Sequence, residues 1–96
     1  MPRFFIEVPH QPNKAACIQA VQSFLSSGSH FLTHADWGCM DGDHKAWIIV
    51  EVENKEQAQS IVPAMYRSDT KVVRLNQFTM EQMNNILQHH PDLKSV

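Results

Sequence analysis

A chain of 96 residues has the length of one domain and can bury roughly two-thirds of its unfolded surface around a single core. Hydrophobic residues at 43%, with three glycines and five prolines, exclude a disordered, collagen-like or linker-rich chain. Eight Lys+Arg against ten Asp+Glu give −2 at pH 7, so no bulk positive field is available for nucleic acid or anionic lipid. Six histidines are the unusual feature, because they can titrate or bind metal near neutral pH.

In chain order, Phe4-Phe5-Ile6-Glu7-Val8 is an aromatic and β-branched run closed by Pro9, which predicts a first strand. Pro12 and Asn13 open a helix in which Cys17/Ile18, Val21 and Phe24/Leu25 recur on one face. Gly28 ends it as a left-handed C-terminal residue. From Ser29 to about Met40 and from His44 to Glu53 the sequence alternates, which predicts two strands joined at Asp41-Gly42. Asn54 to Met65 reads as a second helix, with Asn54 and Gln57 at capping-box spacing and Pro63 kinking or ending it. Lys71 to Phe78 is a fourth strand. Thr79 and Gln82 then open a last helix, which Pro91 stops before a short tail.

The order β-α-β-β-α-β-α predicts an α+β, ferredoxin-like domain over residues 1–96: a four-stranded antiparallel sheet with helices on one face. Right-handed crossovers place the first and third strands in its centre. A turn centred on Asp41-Gly42 pairs Cys39 with His44, Trp37 with Ala46, Ala35 with Ile48, Thr33 with Val50 and Phe31 with Val52. That apolar set belongs under the helices with Phe4, Ile6, Val8, Val73 and Leu75. Phe5, Trp47, Ile49, Val72, Arg74 and Phe78 then lie on the open face with His30, Leu32, His34 and Asp36. Large apolar side chains on an uncovered face predict an interface or ligand site, covered by a second copy of the chain.

Over about residues 2–90 this architecture resembles the dimeric α+β-barrel superfamily. The resemblance implies a homodimer closed through the open sheet face that binds a small molecule, with cofactor-independent acid-base chemistry within its range. It supplies no catalytic residues, so these are read from the chain itself. His34 and Asp36, two apart on a strand, project from one face roughly 7 Å apart. His34 becomes the candidate base and Asp36 its orienting carboxylate. Phe5 and Trp47 are the apolar walls, and Arg74 the partner for an anionic group. His30, about 13 Å further along the strand, falls outside that site.

The alternative class is a transition-metal module. Cys39 and His44, paired beside the turn, or else the surface histidines, can hold zinc, nickel or copper. A third class is an interaction homo-oligomer without chemistry. Cys17 reads as core, as do Met65, Met80 and Met83; His89 and His90 favour the helix C-terminus; His10 supports no inference. Lys45–Val52 partly resembles the third-strand motif of RNA-recognition domains, but Ala46 and Ile48 replace glycines and Ile49 replaces an aromatic. No Gly-rich phosphate loop, nucleophile elbow or HExxH motif is present, so no cofactor other than a metal is expected. Two dispersed cysteines, no leader-like opening and no apolar run near 20 residues predict a reduced, cytoplasmic protein without a membrane partner.

Overall fold

The computed structural model describes residues 1–89. Its elements are β1 (Arg3–Pro9), α1 (Lys14–Ser26), β2 (Asp36–Trp37), β3 (Lys45–Glu51), α2 (Lys55–Ile61), α3 (Ala64–Arg67), β4 (Lys71–Leu75) and α4 (Met80–His89). They form an α+β fold around a four-stranded antiparallel sheet of order β2-β3-β1-β4, with β1 and β3 central. No helix among the described residues is long and apolar enough to cross a membrane.

Alternation decides the core. Phe4, Ile6 and Val8 of β1 and Ala46, Ile48 and Val50 of β3 are buried on one face. Phe24 of α1 and Ala58 of α2 pack on that face with Leu32 and Val62. The caps behave as their side chains dictate. Asn13 Oδ1 accepts from the Ala16 amide at 2.8 Å, and Asn54 Oδ1 from the Gln57 amide at 2.8 Å. Thr79 and Gln82 form a reciprocal capping box at 3.1 and 2.8 Å. Pro63 ends α2 and starts α3, and the Arg67 guanidinium donates to the carbonyls of Ser60 and Val62 at the end of α2.

Three expectations are corrected. The segment from Ser29 to Ala35 is not a strand. Leu32–His34 is a 3-10 turn, closed by amide bonds such as Ala35 to the Leu32 carbonyl at 3.3 Å. Tightening the chain there buries Leu32, which alternation had assigned to the open face. The ladder therefore keeps Trp37↔Ala46 and Asp36↔Trp47, but no pairing from Phe31 to Ala35.

The second correction concerns β4. Ile6 faces Val72 and Phe4 faces Arg74 across the ladder, so Val72 and Arg74 point to the helix side. Val73 and Leu75 take the open face. Lys71-Val72-Val73-Arg74-Leu75 has apolar residues in both phases, so its own pattern could not choose; the pairing with β1 did. Third, the apolar stripes include more solvent than core spacing implies: Met65 is 59% and Met80 76% exposed, and Ile18, Leu25 and Met83 are also exposed. The side-chain roles of His89 and His90, and the stop at Pro91, lie outside the described residues.

The β2–β3 connection is a seven-residue loop, 38–44, and not the two-residue turn expected at Asp41-Gly42. Gly38 donates to the Lys45 carbonyl at 3.1 Å, and its own carbonyl accepts from both Asp41 and Asp43 at 3.0 Å. Cys39–Asp41 forms a 3-10 turn, and Gly42 at φ +86° lets the chain return. A Cβ on Gly38 would lie 2.6 Å from both the Trp47 ring and the Asp43 carbonyl oxygen. Gly38→Ala should therefore destabilise the protein by about 1–3 kcal/mol through overpacking. Urea unfolding measures this, and an unchanged midpoint would show that the hairpin has room to spare.

Candidate metal centre

The end of β1 and the turned hairpin meet beside the N-terminal half of α1. His10 follows the last residue of β1, and its amide donates to the His44 carbonyl at 3.1 Å, one step beyond the ladder. Trp37 fixes the ring from the other side. Its indole lies 4.9 Å from the buried Phe24 ring and 6.0 Å, edge-on, from the His10 imidazole. The His10 and His44 rings are perpendicular with centroids 5.8 Å apart. Cys39, first residue of the 3-10 turn, brings its Sγ to 3.2 Å from His10 Nε2.

His10, Cys39 and His44 each offer a ligand atom, and these atoms lie within 4.8 Å of one another. All three residues are half-buried. Nδ1 of His10 and Nδ1 of His44 are buried without a hydrogen-bond partner. Buried polar atoms are ordinarily paired, so two orphaned imidazole nitrogens around one thiol call for an explanation. Donors around a tetrahedral zinc sit roughly 3.3–3.8 Å apart, given bonds near 2.3 Å to sulfur and 2.0–2.1 Å to nitrogen. A small contraction of the cluster reaches that geometry.

Burial keeps Cys39 a thiol and favours the neutral His10 imidazole in the free protein. Burial, with a hydrogen bond to the neighbouring Cys17 thiol second, pushes the Cys39 thiol up to about 11. It is therefore a thiol at neutral pH and not a reactive thiolate. Burial, and then the nearby His44, hold His10 below the usual histidine value, which favours the neutral imidazole that ligates metal. The centre has two approaches. His10 borders a cleft of about 550 Å³ with Met65, Tyr66 and Asp69, while Cys39 and His44 border an apolar cavity of about 330 Å³.

Cys39 and His44 are thus brought together, though through the Gly38–Lys45 loop and not as a ladder pair. His10 was missed because its own neighbours say nothing. The available signal was indirect: a histidine at the end of a strand whose antiparallel partner begins beside His44. Of the other candidates, four come together and one, Arg74, does not. His34 and Asp36 are exposed and share a depression of about 310 Å³ with Phe5, Trp47, Ile48 and Ile49. His34 Nδ1 bonds the His30 carbonyl at 2.8 Å, and the His30 and His34 rings are 4.7 Å apart, not a strand's length. Trp47 donates to Glu7 at 3.1 Å. Arg74 lies on the opposite face of the sheet from Phe5 and Trp47 and joins neither group. Comparison of the chain with family models, with curated proteins and with solved structures finds no match.

A pH dependence follows from His10. Its folded pKa lies below the ordinary histidine value of about 6.5, so the unfolded chain takes up a proton first as pH falls. The contribution to stability is full above about 6.5 and is lost as pH drops toward the lower folded value. Thermal melts of metal-free protein should show a lower Tm at pH 5 than at pH 7. His10→Gln should flatten that part of the difference.

Proposed function

We propose that the protein is a transition-metal-binding module in which His10, Cys39 and His44 take a borderline cation, zinc before nickel or copper. The observation behind this reading is the meeting of two half-buried imidazoles and a thiol, each offering one ligand atom within 4.8 Å of the others. A metal ion would take one nitrogen lone pair from each imidazole and replace the Cys39 proton. Imidazole and thiolate together suit Zn(II) and Cu(I), whereas magnesium and calcium prefer oxygen. Binding ties the end of β1 to the hairpin, so metal affinity becomes folding stability.

The ion competes with the proton on Cys39, which binds tightly because the thiol pKa is raised. Apparent affinity should rise with pH, at least about tenfold per unit between pH 6 and 8. Reduced, metal-free protein given zinc and then desalted should retain one equivalent. Cys39→Ser or His44→Ala should retain little while keeping the far-ultraviolet dichroism. With free zinc about 100-fold above Kd, stability should rise by about 2.7 kcal/mol and Tm by about 10–20 °C. Protein that retains no zinc, nickel or copper, with no shift in Tm, would eliminate this reading.

A second reading rests on the other side of the sheet. Phe5, Trp47, Ile49, Val73 and Leu75 share the face that α1 and α2 leave uncovered, and Ile49 is 59% exposed. The central placement of β1 and β3 supports a ferredoxin-like arrangement, and the apolar face supports a sheet-to-sheet homodimer with a small ligand beside His34 and Asp36. Light scattering should then give a dimer for the native chain and a monomer for Ile49→Glu. A native monomer at micromolar concentration speaks against it.

A further inference from the structure

Cys39 has a second sulfur beside it that the three-residue cluster leaves unused. Cys17 lies early in α1, where its amide bonds the Asn13 carbonyl at 3.0 Å. It is a free, half-buried thiol. With Cys39, His44, Met40, Pro12 and Ile18 it lines the apolar cavity of about 330 Å³. The Asn13 cap sets this position: it starts the helix so that Cys17 meets the hairpin and not the sheet.

We propose that Cys17 is the fourth ligand of the same centre, closing it as a tetrahedral Cys2His2 site selective for Zn(II) or Co(II). The proposal rests on the metal-binding reading above. Charge gives the first reason. A divalent ion held by one thiolate and two neutral imidazoles keeps a net positive charge against Pro12, Ile18 and Met40. A second thiolate brings the centre to neutrality, which removes the cost of leaving a charge unpaired in an apolar wall. Reach gives the second. Cys17 Sγ stands outside the set of donors that are mutually within 4.8 Å, yet adjacent to Cys39. Its side chain turns on a single rotor, so a change of χ1 moves the sulfur while α1 stays in place.

Two Zn–S and two Zn–N bonds form, and the protons of Cys17 and Cys39 leave to the buffer. The closed set would knit three elements: His10 from the end of β1, Cys17 from α1, and Cys39 with His44 from the hairpin. Four protein donors leave no position for water or substrate, which is the arrangement of a structural and not a catalytic zinc.

Cobalt(II) titration of the reduced protein tests this directly. The native chain should give the intense visible bands of tetrahedral cobalt and release two protons per ion, measured in buffers of different ionisation enthalpy. Cys17→Ala should bind about a thousandfold more weakly, above the roughly 10–100-fold range for loss of an outer-shell partner. Its sulfur-to-cobalt charge-transfer absorbance should fall to about half, one thiolate remaining of two, and one proton fewer should be released. Cys17→His, which supplies a donor again, should recover tetrahedral bands.

A readout on the unmutated chain guards against misfolding of the variants: zinc should protect Cys17 as well as Cys39 from iodoacetamide, and chelator should expose both. Unchanged spectrum, affinity and proton count in Cys17→Ala would overturn the fourth-ligand role while leaving the three-ligand site standing. Alkylation of Cys17 at the same rate with and without zinc would do the same. A native chain that binds no cobalt or zinc at all would take down both.

Discussion

Pro9 stands opposite Lys45 across the β1–β3 ladder, and one residue further the His10 amide donates to the His44 carbonyl at 3.1 Å. That register does two jobs. Inside the sheet it sets Phe4, Ile6 and Val8 beside Val50, Ile48 and Ala46, so that every second residue of both central strands enters the core. Beyond the sheet it delivers His10 to the turn that carries His44 and Cys39. A slip of one residue would turn the core side chains to solvent and separate the histidines in the same movement. Core and candidate site therefore depend on a single pairing.

The hairpin supplies the other constraint. Gly38 fits where any Cβ would strike Trp47, and its carbonyl gathers two amides of the loop. That compaction lifts Cys39 off the strand line and points its sulfur toward His10. Trp37, wedged between Phe24 and His10, connects the site to the middle of the core. Groups held this way lose little freedom when an ion binds, because folding has already ordered them. The raised pKa of the Cys39 thiol and the lowered one of His10 are what burial does to ionisable groups without a counter-ion.

Parts of this arrangement were legible locally. The β1 run, the caps at Asn13, Asn54 and Thr79, the break at Pro63 and the Trp37↔Ala46 pairing all follow from side chains and their immediate neighbours. The segment from Ser29 to Ala35 was not legible, because alternation there coincides with serine and histidine bonds to nearby backbone groups that stabilise a 3-10 turn. Nor was the phase of β4, where two adjacent valines satisfy either face. Cys39 with His44 was readable as a local pair across a turn. His10 was not, since nothing within several residues of it distinguishes a ligand from a loop histidine.

By itself, then, the sequence determined what depends on neighbouring residues: an α+β order of strands and helices, where helices begin and end, and which face of β1 and β3 is apolar. Those choices are settled by short-range hydrogen bonding and by the two-residue period of a strand. Tertiary structure alone decided which face β4 presents, that Leu32 is core, and that His10 joins Cys39 and His44. Each of these turns on residues far apart in the chain becoming adjacent, and adjacency is a property of strand register. The composition's excess of histidine thus narrows to two rings and one thiol at the end of one ladder.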